Sequence, residues 1–238
     1  MKVAVCGSGE YYSRGVAYLK EYGYELAEIA SPEDAEKDTE VLVCLAYPKI
    51  LKPKILKRFP KGCINFHCGL PNYRGRHPLQ WMLIDGVKRI PCAVHYMTKG
   101  VDEGDIIEDT SFPVDRNETY ATALAKVLDQ VGPLLIAALY NIENDKVVRK
   151  PQGVGRYWPP RTPADSRINF NQPSAVVHRF INAMSDPMPN AFDGNGQKYT
   201  RSYLSEPGQI CYNGPTEFFV ATSDGFVKVE AIVRDISQ

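Results

Sequence analysis

The sequence predicts an α/β fold, with a mostly parallel sheet in a first domain and a small β-rich domain at the C-terminus. Short apolar segments alternate with helical patterns along the first half of the chain, as a parallel sheet requires. A connector rich in proline and glycine follows residue 150, and short β-like segments separated by turns make up most of the remainder. We therefore predict domains over residues 1–150 and 166–238, joined by a linker over 151–165.

The elements of the first domain follow from the spacing of apolar residues. Val16, Leu19 and Tyr22 recur at helical spacing, and residues 117–142 carry apolar side chains along one face of a long helix. The predicted helices span 12–22, 53–58, 79–84 and 117–142, and the predicted strands span 3–6, 25–29, 41–45, 63–66, 92–97 and 105–113. Such a sheet is Rossmann-like, and its ligands bind beyond the carboxyl ends of the strands.

The C-terminal part changes character after one helix predicted over 174–184. Asn213-Gly214 and Asp224-Gly225 are typical of tight turns between strands. The β-like segments that these turns separate span 197–203, 208–212, 217–222 and 226–233. Edge strands of such a domain make homodimer formation physically reasonable.

Balanced charge limits the partners that the protein is expected to bind. The 238 residues include 28 lysines and arginines and 28 acidic residues, a formal net charge of zero. Binding that depends on neutralising phosphates along a nucleic acid is therefore disfavoured.

A chain of this length buries roughly 70% of the surface of its unfolded form, so its core needs neither disulfides nor metal.

The sequence lacks the patterns of a signal peptide and of a membrane span. Lys2 precedes an apolar segment that is too short for a signal peptide. The longest apolar stretch, 131–140, contains Gly132 and Pro133 and is about half of what spans a bilayer. The six cysteines form no CxxC pair and mostly lie in apolar segments, as reduced thiols do. We therefore expect a cytoplasmic protein that does not cross a membrane.

A glycine-containing turn follows the first predicted strand. Gly7-Ser8-Gly9 lacks the rest of the GxGxxG pattern, and the second strand ends without an acidic residue to hold a ribose. NAD binding is therefore disfavoured. The turn either binds an anion through backbone amides at a helix N-terminus, with substrate contacts from Ser8, Gly9 and Tyr11, or it is a tight turn without a ligand.

The segment from Ile64 to Pro78 is the most informative for function. Alternation along a strand places Asn65 and His67 on the same face. An amide donor beside an imidazolium is suited to stabilising the oxyanion of acyl transfer. Asp102, in a glycine-flanked loop after the next strand, is placed to orient the histidine and to accept a proton through water. The three residues indicate a catalytic site only when they are taken together.

These residues and their neighbours resemble those of the folate-dependent formyltransferases. The resemblance covers residues 1–115 well, and it is weaker over the C-terminal part, which is similar to the linker and small OB-like domain of the methionyl-tRNA and sugar enzymes. The motifs that carry it are Asn65-x-His67 before a proline-containing loop, Tyr73-Arg74-Gly75, Trp81, His95-Tyr96-Met97 and Gly100-Val101-Asp102-x-Gly104-Asp105.

The resemblance implies roles for particular residues. Asn65, His67 and Asp102 look like the catalytic triad, with His95 as a supporting residue. The co-substrate N10-formyltetrahydrofolate would dock between two loops, through Tyr47, Lys49, Ile50, Leu51, Thr98 and Lys99. The residues expected to contact the second substrate are Ser8, Gly9, Tyr11, Arg74, His77 and His95.

The reaction that the resemblance implies is formyl transfer to the primary amine of a nucleotide-linked amino sugar, as in polysaccharide biosynthesis. Residues 30–41 replace a longer stretch of typical members, and they are acidic where the methionyl-tRNA enzymes carry a basic loop. Both departures favour a small amine over nucleic acid. The alternatives are methionyl-tRNA formylation, hydrolysis of formyltetrahydrofolate with water as acceptor, and a non-enzymatic module that binds folate or a nucleotide. The loop after His67 is one residue shorter than usual.

Other conspicuous residues have structural interpretations. His178 is expected in ordinary surface or boundary packing, and Trp81 is expected to lie in the core, on the apolar face of a short helix. His77 either contacts substrate or caps the following helix. The spacing of histidines and cysteines matches no zinc signature, so no metal site is predicted.

Overall fold

The computed structural model describes residues 1–204 and 216–232, which form two compact units. The first unit comprises Met1–Gly75, Ile90–Phe112 and Ala125–Trp158, and the second comprises Arg76–Arg89, Pro113–Leu124 and the chain from Pro159. Because units defined by contacts need not follow chain order, the domain limits at 150 and 165 stay a prediction. The strand predicted over 208–212, and with it Cys211, lies outside the described residues.

The described elements follow the predicted alternation. The helices are α1 (Gly9–Glu21), α2 (Pro53–Leu56), α3 (Pro78–Asp85), α4 (Tyr120–Glu143) and α5 (Ser174–Ala183). The strands are β1 (Val3–Gly7), β2 (Leu26–Glu28), β3 (Val41–Leu45), β4 (Cys63–Cys68), β5 (Arg74–Gly75), β6 (Arg89–Tyr96), β7 (Ile106–Pro113), β8 (Tyr157–Trp158), β9 (Ala191–Phe192), β10 (Lys198–Leu204), β11 (Glu217–Thr222) and β12 (Gly225–Ala231).

A mixed sheet forms the centre of the first unit, in the order β2-β1-β3-β4-β6-β7 over the described residues. The pairs β1–β2, β1–β3 and β3–β4 are parallel, and β6 runs antiparallel to β4. β1 and β3 approach so closely at Gly7 that a Cβ there would lie 1.8 Å from the carbonyl oxygen of Leu45. The predicted α/β sheet is confirmed.

Helices α1 and α4 pack closely in this unit because glycines face side chains across their contact. A Cβ at Gly15 would lie 3.1 Å from Leu135, and one at Gly132 would lie 2.2 Å from Tyr18. By length and composition α4 could cross a bilayer. Its residues Val127, Val131 and Leu135 are fully buried, as in the core helix of a folded domain.

The second unit contains an antiparallel sheet in the order β11-β12-β10-β9 over its described residues, with α5 packed on β10. The predicted β-rich C-terminal domain is confirmed. His178 of α5 lies in the core of this unit, not at the surface. One ring nitrogen, Nδ1, is 3.0 Å from the hydroxyl of Ser202, and Nε2 donates to the carbonyl oxygen of Arg116 at 2.9 Å. These contacts give a polar histidine buried partners.

Candidate active site

Strand register brings Asn65 and His95 together on the sheet of the first unit. Asn65 of β4 is directly opposite His95 of β6, and the amide nitrogen of Asn65 lies 3.3 Å from Nε2 of His95. Nδ1 of His95 lies 2.9 Å from the backbone carbonyl oxygen of Tyr96. A carbonyl oxygen can only accept, so Nδ1 carries the proton and Nε2 of the neutral ring accepts from Asn65.

Burial keeps His95 neutral near pH 7. Its side chain is 1% exposed, and burial lowers its pKa from 6.5 to about 4, partly offset by the nearby carboxylate of Asp102. Nε2 of His95 is 3.7 Å from Asp102 Oδ1. Because the ring is uncharged, this contact is not an ion pair, and Nε2 of His95 is left to accept from the amide of Asn65.

His67 lies two residues further along β4 and has an oxygen atom beside each ring nitrogen. Its Nε2–H donates to the carbonyl oxygen of Tyr73 at 2.9 Å. Its Nδ1 lies 3.6 Å from Oδ2 of Asp102. This separation is longer than a hydrogen bond, so the carboxylate faces Nδ1 without being bonded to it. The ring thus lies between a backbone acceptor on one side and a carboxylate on the other.

Asp102 is fixed between the two histidines by its own loop and by a neighbouring one. Its Oδ2 accepts a hydrogen bond from the backbone N–H of Gly75 at 3.0 Å. Its backbone adopts a left-handed conformation, with φ of +54°, which aspartate tolerates better than most residues. The side chain is largely buried, at 14% exposed. The structure thus brings Asn65, His67, Asp102 and His95 into one cluster.

This cluster combines the groups that acyl transfer to an amine requires. Asn65 supplies a neutral donor, His67 a donor that can carry positive charge, and Asp102 a proton acceptor. Within the described residues, no group of three or more histidine, cysteine, aspartate or glutamate side chains is arranged to hold a metal ion. The cluster itself provides an amide, an imidazole and a carboxylate.

Comparison with known proteins gives the family. Residues 16–139 match the Formyl transferase family, and residues 161–235 match its C-terminal domain. The chain belongs to the formyl transferase family. A methionyl-tRNA formyltransferase of Desulforamulus reducens is 28% identical over 210 residues, which are 83% of this chain and 66% of that protein.

Solved structures share the fold of this chain. An N-formyltransferase from Helicobacter canadensis, in complex with folinic acid and dTDP-3-aminofucose, superposes with a TM-score of 0.80 at 17% identity, over 97% of this chain and 99% of that one. A variant of HypX from Aquifex aeolicus superposes with a TM-score of 0.74 at 19% identity, over 96% of this chain and 45% of that one. The chain thus spans just under two thirds of the methionyl-tRNA enzyme and less than half of HypX.

The two loops predicted to bind folate begin at one apolar cluster. Tyr47 and Met97 both pack against a buried group that includes Leu51, Ile55 and Phe59. The predicted contact residues of exposed character are Lys49, Ile50, Thr98 and Lys99, whereas the side chain of Leu51 is 6% exposed. The side chain of Leu51 therefore packs in the core, and any folate contact it makes stays a prediction.

The turn predicted to bind an anion lies beside the end of β4. The hydroxyl of Tyr11 is 4.0 Å from Sγ of Cys68, and its ring is tilted against Phe66 at 5.7 Å. The backbone N–H of Ser8 donates to Leu45 at 3.1 Å, so this amide is used by the sheet. Gly9 is exposed, with φ of +71°. Substrate contacts at this turn stay a prediction.

Two other residues predicted to contact substrate have partners within their own units. Arg74 is 7% exposed and its guanidinium donates to the side chain of Gln152 and, at 3.0 Å, to the carbonyl oxygen of Gly153. His77, in the second unit, accepts from the backbone N–H of Arg161 at 2.8 Å and does not cap α3 with its side chain. A contact between either residue and substrate stays a prediction.

Sequence reasoning missed three groups that shape the site. Tyr73 and Gly75 contribute a backbone carbonyl and a backbone N–H, which any residue type could supply. Their side chains therefore do not indicate these contacts in the sequence. Gln152 joins two loops of the site but lies in the segment interpreted as a connector. A lone polar side chain among prolines and glycines was the available signal.

Proposed function

We propose that this formyl transferase transfers a formyl group from N10-formyltetrahydrofolate to the primary amine of a nucleotide-linked amino sugar. The observation that carries the proposal is the cluster of Asn65, His67 and Asp102. The amide has one N–H committed to His95, and its second N–H is available to a developing oxyanion. Asp102 is close enough to His67 to hold a cation there.

Each residue has a separate role in the proposed reaction. Asn65 donates to the formyl oxygen as the neutral amine attacks the formyl carbon, and His67 adds positive charge beside the same oxygen. Asp102 accepts the proton that the amine loses, directly or through water. The folate supplies the formyl carbon and leaves as tetrahydrofolate when its N10 takes up that proton, which Asp102 returns directly or through water. The products are a formamide and tetrahydrofolate, so atoms and charge balance.

The position of the His67 ring proton sets one condition on this mechanism. Nε2–H donates to Tyr73 in the structure, so donation by this atom to the oxyanion replaces that hydrogen bond. The loop that carries Tyr73 follows His67 directly. It is one residue shorter than the corresponding loop that is usual in folate-dependent formyltransferases. The loop therefore competes with the substrate for the donor of His67.

The folate loops offer suitable surfaces for a pterin. Ile50 is 72% exposed, beside a buried Leu51, and Tyr47 packs on the cluster that also supports Met97. An exposed apolar side chain on an anchored loop is suited to packing against a flat ring system. We therefore propose that the folate binds between the loops at 46–51 and 98–102.

Two observations favour a sugar amine as acceptor. The Helicobacter canadensis enzyme, whose complex contains dTDP-3-aminofucose, superposes over nearly the whole of both chains. The short acidic stretch at 31–38 is exposed at Glu33 and Asp38, where negative charge would repel a nucleic acid backbone. The 28% identity with a methionyl-tRNA formyltransferase makes charged tRNA the second candidate acceptor.

The decisive experiment incubates the protein with 10-formyltetrahydrofolate and a panel of nucleotide-linked amino sugars. A product heavier by one carbonyl unit, formed by the wild type and not by Asp102→Asn, supports the proposal. Formylation of methionyl-tRNA alone would assign the second candidate. Release of tetrahydrofolate at the same rate with and without amine would instead indicate a hydrolase. Tight folate binding without turnover of any acceptor would indicate a non-enzymatic binding module.

Cytoplasmic location and homodimer formation stay predictions.

A further inference from the structure

Gln152 joins the two loops that meet at Asp102. Its side-chain oxygen accepts from the guanidinium of Arg74, at 3.3 Å from Nη2 and 3.4 Å from Nε. Its side-chain nitrogen donates to the carbonyl oxygen of Gly104 at 2.6 Å. We call this chain of hydrogen bonds, from Arg74 through Gln152 to Gly104, the clasp. Both ends of one amide are used, so the clasp fixes the two loops relative to each other.

One end of the clasp holds the loop at 71–75, which reaches both catalytic partners through its backbone. The carbonyl of Tyr73 accepts from His67, and the N–H of Gly75 donates to Asp102. Arg74 lies between these two residues, and its own N–H donates to the carbonyl of Arg156 at 3.0 Å. A shift of Arg74 would therefore move the N–H that anchors the Asp102 carboxylate.

The other end of the clasp holds the loop that carries Asp102. Gly104 is two residues further along the chain, and a Cβ there would lie 1.9 Å from the carbonyl oxygen of Tyr96. The loop is thus backed by β6 on one side and bonded to Gln152 through its carbonyl. Ile106 and Lys150 exchange two backbone hydrogen bonds, at 2.9 and 3.0 Å, which set the register that brings Gln152 to Gly104.

We propose that Gln152 is a positioning residue that places the Asp102 carboxylate against His67. It contacts neither the catalytic side chains nor the reacting atoms, and it acts through the two loops that it joins. The inference rests on the proposed function, because the reaction that Asp102 serves is the one proposed above. Its effect should appear in the catalytic step and not in the binding of folate.

The variant Gln152→Ala removes both halves of the clasp, and Gln152→Glu keeps an acceptor for Arg74 while placing a carboxylate oxygen against the carbonyl of Gly104. We expect each to lower kcat by about a hundredfold, the effect of a small displacement of a catalytic group, with KM for folate within about twofold of wild type. Val154→Ala, in the same segment at a fully exposed side chain, is the matched control and should match wild type in kcat. Thermal melting should agree for all four proteins.

A double-mutant cycle separates positioning from general damage. If Gln152 acts by placing Asp102, then Gln152→Ala should lower kcat by less than about twofold in a protein that already carries Asp102→Asn. The full hundredfold loss in that background would overturn the proposal, as would unchanged kcat of Gln152→Ala in the wild-type background. A drop in melting temperature with an additive loss would assign Gln152 a structural role only.

A measurement without substrate keeps this inference distinct from the proposed function. The chain has four histidines, so imidazole 15N NMR signals can be assigned. Gln152→Ala should shift the signals of His67 and leave those of His178, in the second unit, unchanged. Unchanged His67 signals would overturn the inference. If no acceptor is formylated by wild type but the His67 signals shift, the proposed function fails while the positioning of Asp102 by Gln152 stands.

Discussion

The amide nitrogen of Asn65 lies 3.3 Å from Nε2 of His95, and this contact decides which atoms of the amide face the reacting centre. The other ring nitrogen of His95 is committed to a backbone carbonyl, so Nε2 can only accept while the ring is neutral. The amide nitrogen of Asn65 is thereby directed to His95, and its second N–H is held in a defined direction. We therefore expect the buried neutral His95 to hold the amide of Asn65 in place.

Replacement of this support should impair catalysis less than replacement of the donor. Asn65→Ala removes an oxyanion donor and should lower kcat by about 10²- to 10³-fold. His95→Phe leaves the donor in place but without its acceptor, so a loss of roughly tenfold is expected. In the Asn65→Ala background, His95→Phe should have little further effect on kcat. Equal and additive losses would show that His95 has a separate catalytic role.

The charge of Asp102, not its shape, should determine activity. Asp102→Asn retains an oxygen that can accept from Gly75, and asparagine tolerates the left-handed backbone at φ +54°. Loss of the carboxylate removes the proton acceptor, so kcat should fall by about 10²- to 10⁴-fold with an unchanged melting temperature. Asp102→Ala serves as the control, since it loses both charge and anchor and should also lower the melting temperature. Near-wild-type kcat in Asp102→Asn would contradict the assigned role.

The sequence predicted the elements more completely than the contacts between them. Residues 41–45 form β3 as expected, because a short apolar segment that begins after Glu40 and runs into a proline-containing loop is typical of a buried strand. The prediction that Asn65 and His67 lie on the same face of their strand followed from strand alternation alone. The antiparallel course of β6 and the clasp at Gln152 depend on where loops meet in space, and no local pattern encodes that.

The same limit explains the buried His178. Its neighbours on the helix, Val177 and Ile181, are apolar and buried. The hydrogen-bond partners of its two ring nitrogens, Ser202 and Arg116, are distant in the sequence, and nothing near His178 indicates them. Without partners, a histidine on a helix is expected near the surface. Only the packing of α5 on β10 brings the Ser202 hydroxyl to it.

Buried neutral histidines should make the protein less stable as pH falls below about 6.5. Burial lowers the pKa of His178 and lowers that of His95 from 6.5 to about 4. The unfolded chain therefore binds more protons than the folded chain in this range, and stability falls as pH falls through it. The full contribution is present above the unfolded pKa. The urea midpoint of unfolding should decrease from about pH 7 to about pH 5, above the range in which most carboxylates titrate.

A His178→Gln variant tests which group is responsible. It removes one titrating ring from the second unit, so its urea midpoint should depend less on pH than that of wild type between about pH 7 and pH 5. Its midpoint at pH 7 should be lower, because the contacts with Ser202 and Arg116 are lost. A wild-type midpoint that stays constant over this range would contradict the assignment of neutral histidines to the core.

Substitutions at two neighbouring residues of the first folate loop should have different effects, one on folate binding and the other on the stability of the fold. Ile50 is 72% exposed and Leu51 is 6% exposed, in a cluster with Ile55 and Phe59. Ile50→Ser should raise KM for 10-formyltetrahydrofolate several-fold at an unchanged melting temperature, because it removes only exposed apolar surface. Leu51→Ala should lower the free energy of unfolding by about 2–5 kcal/mol through the cavity that it leaves. If Ile50→Ser leaves this KM unchanged, the pterin does not pack on that side chain, and the assignment of the folate to this loop loses its main support.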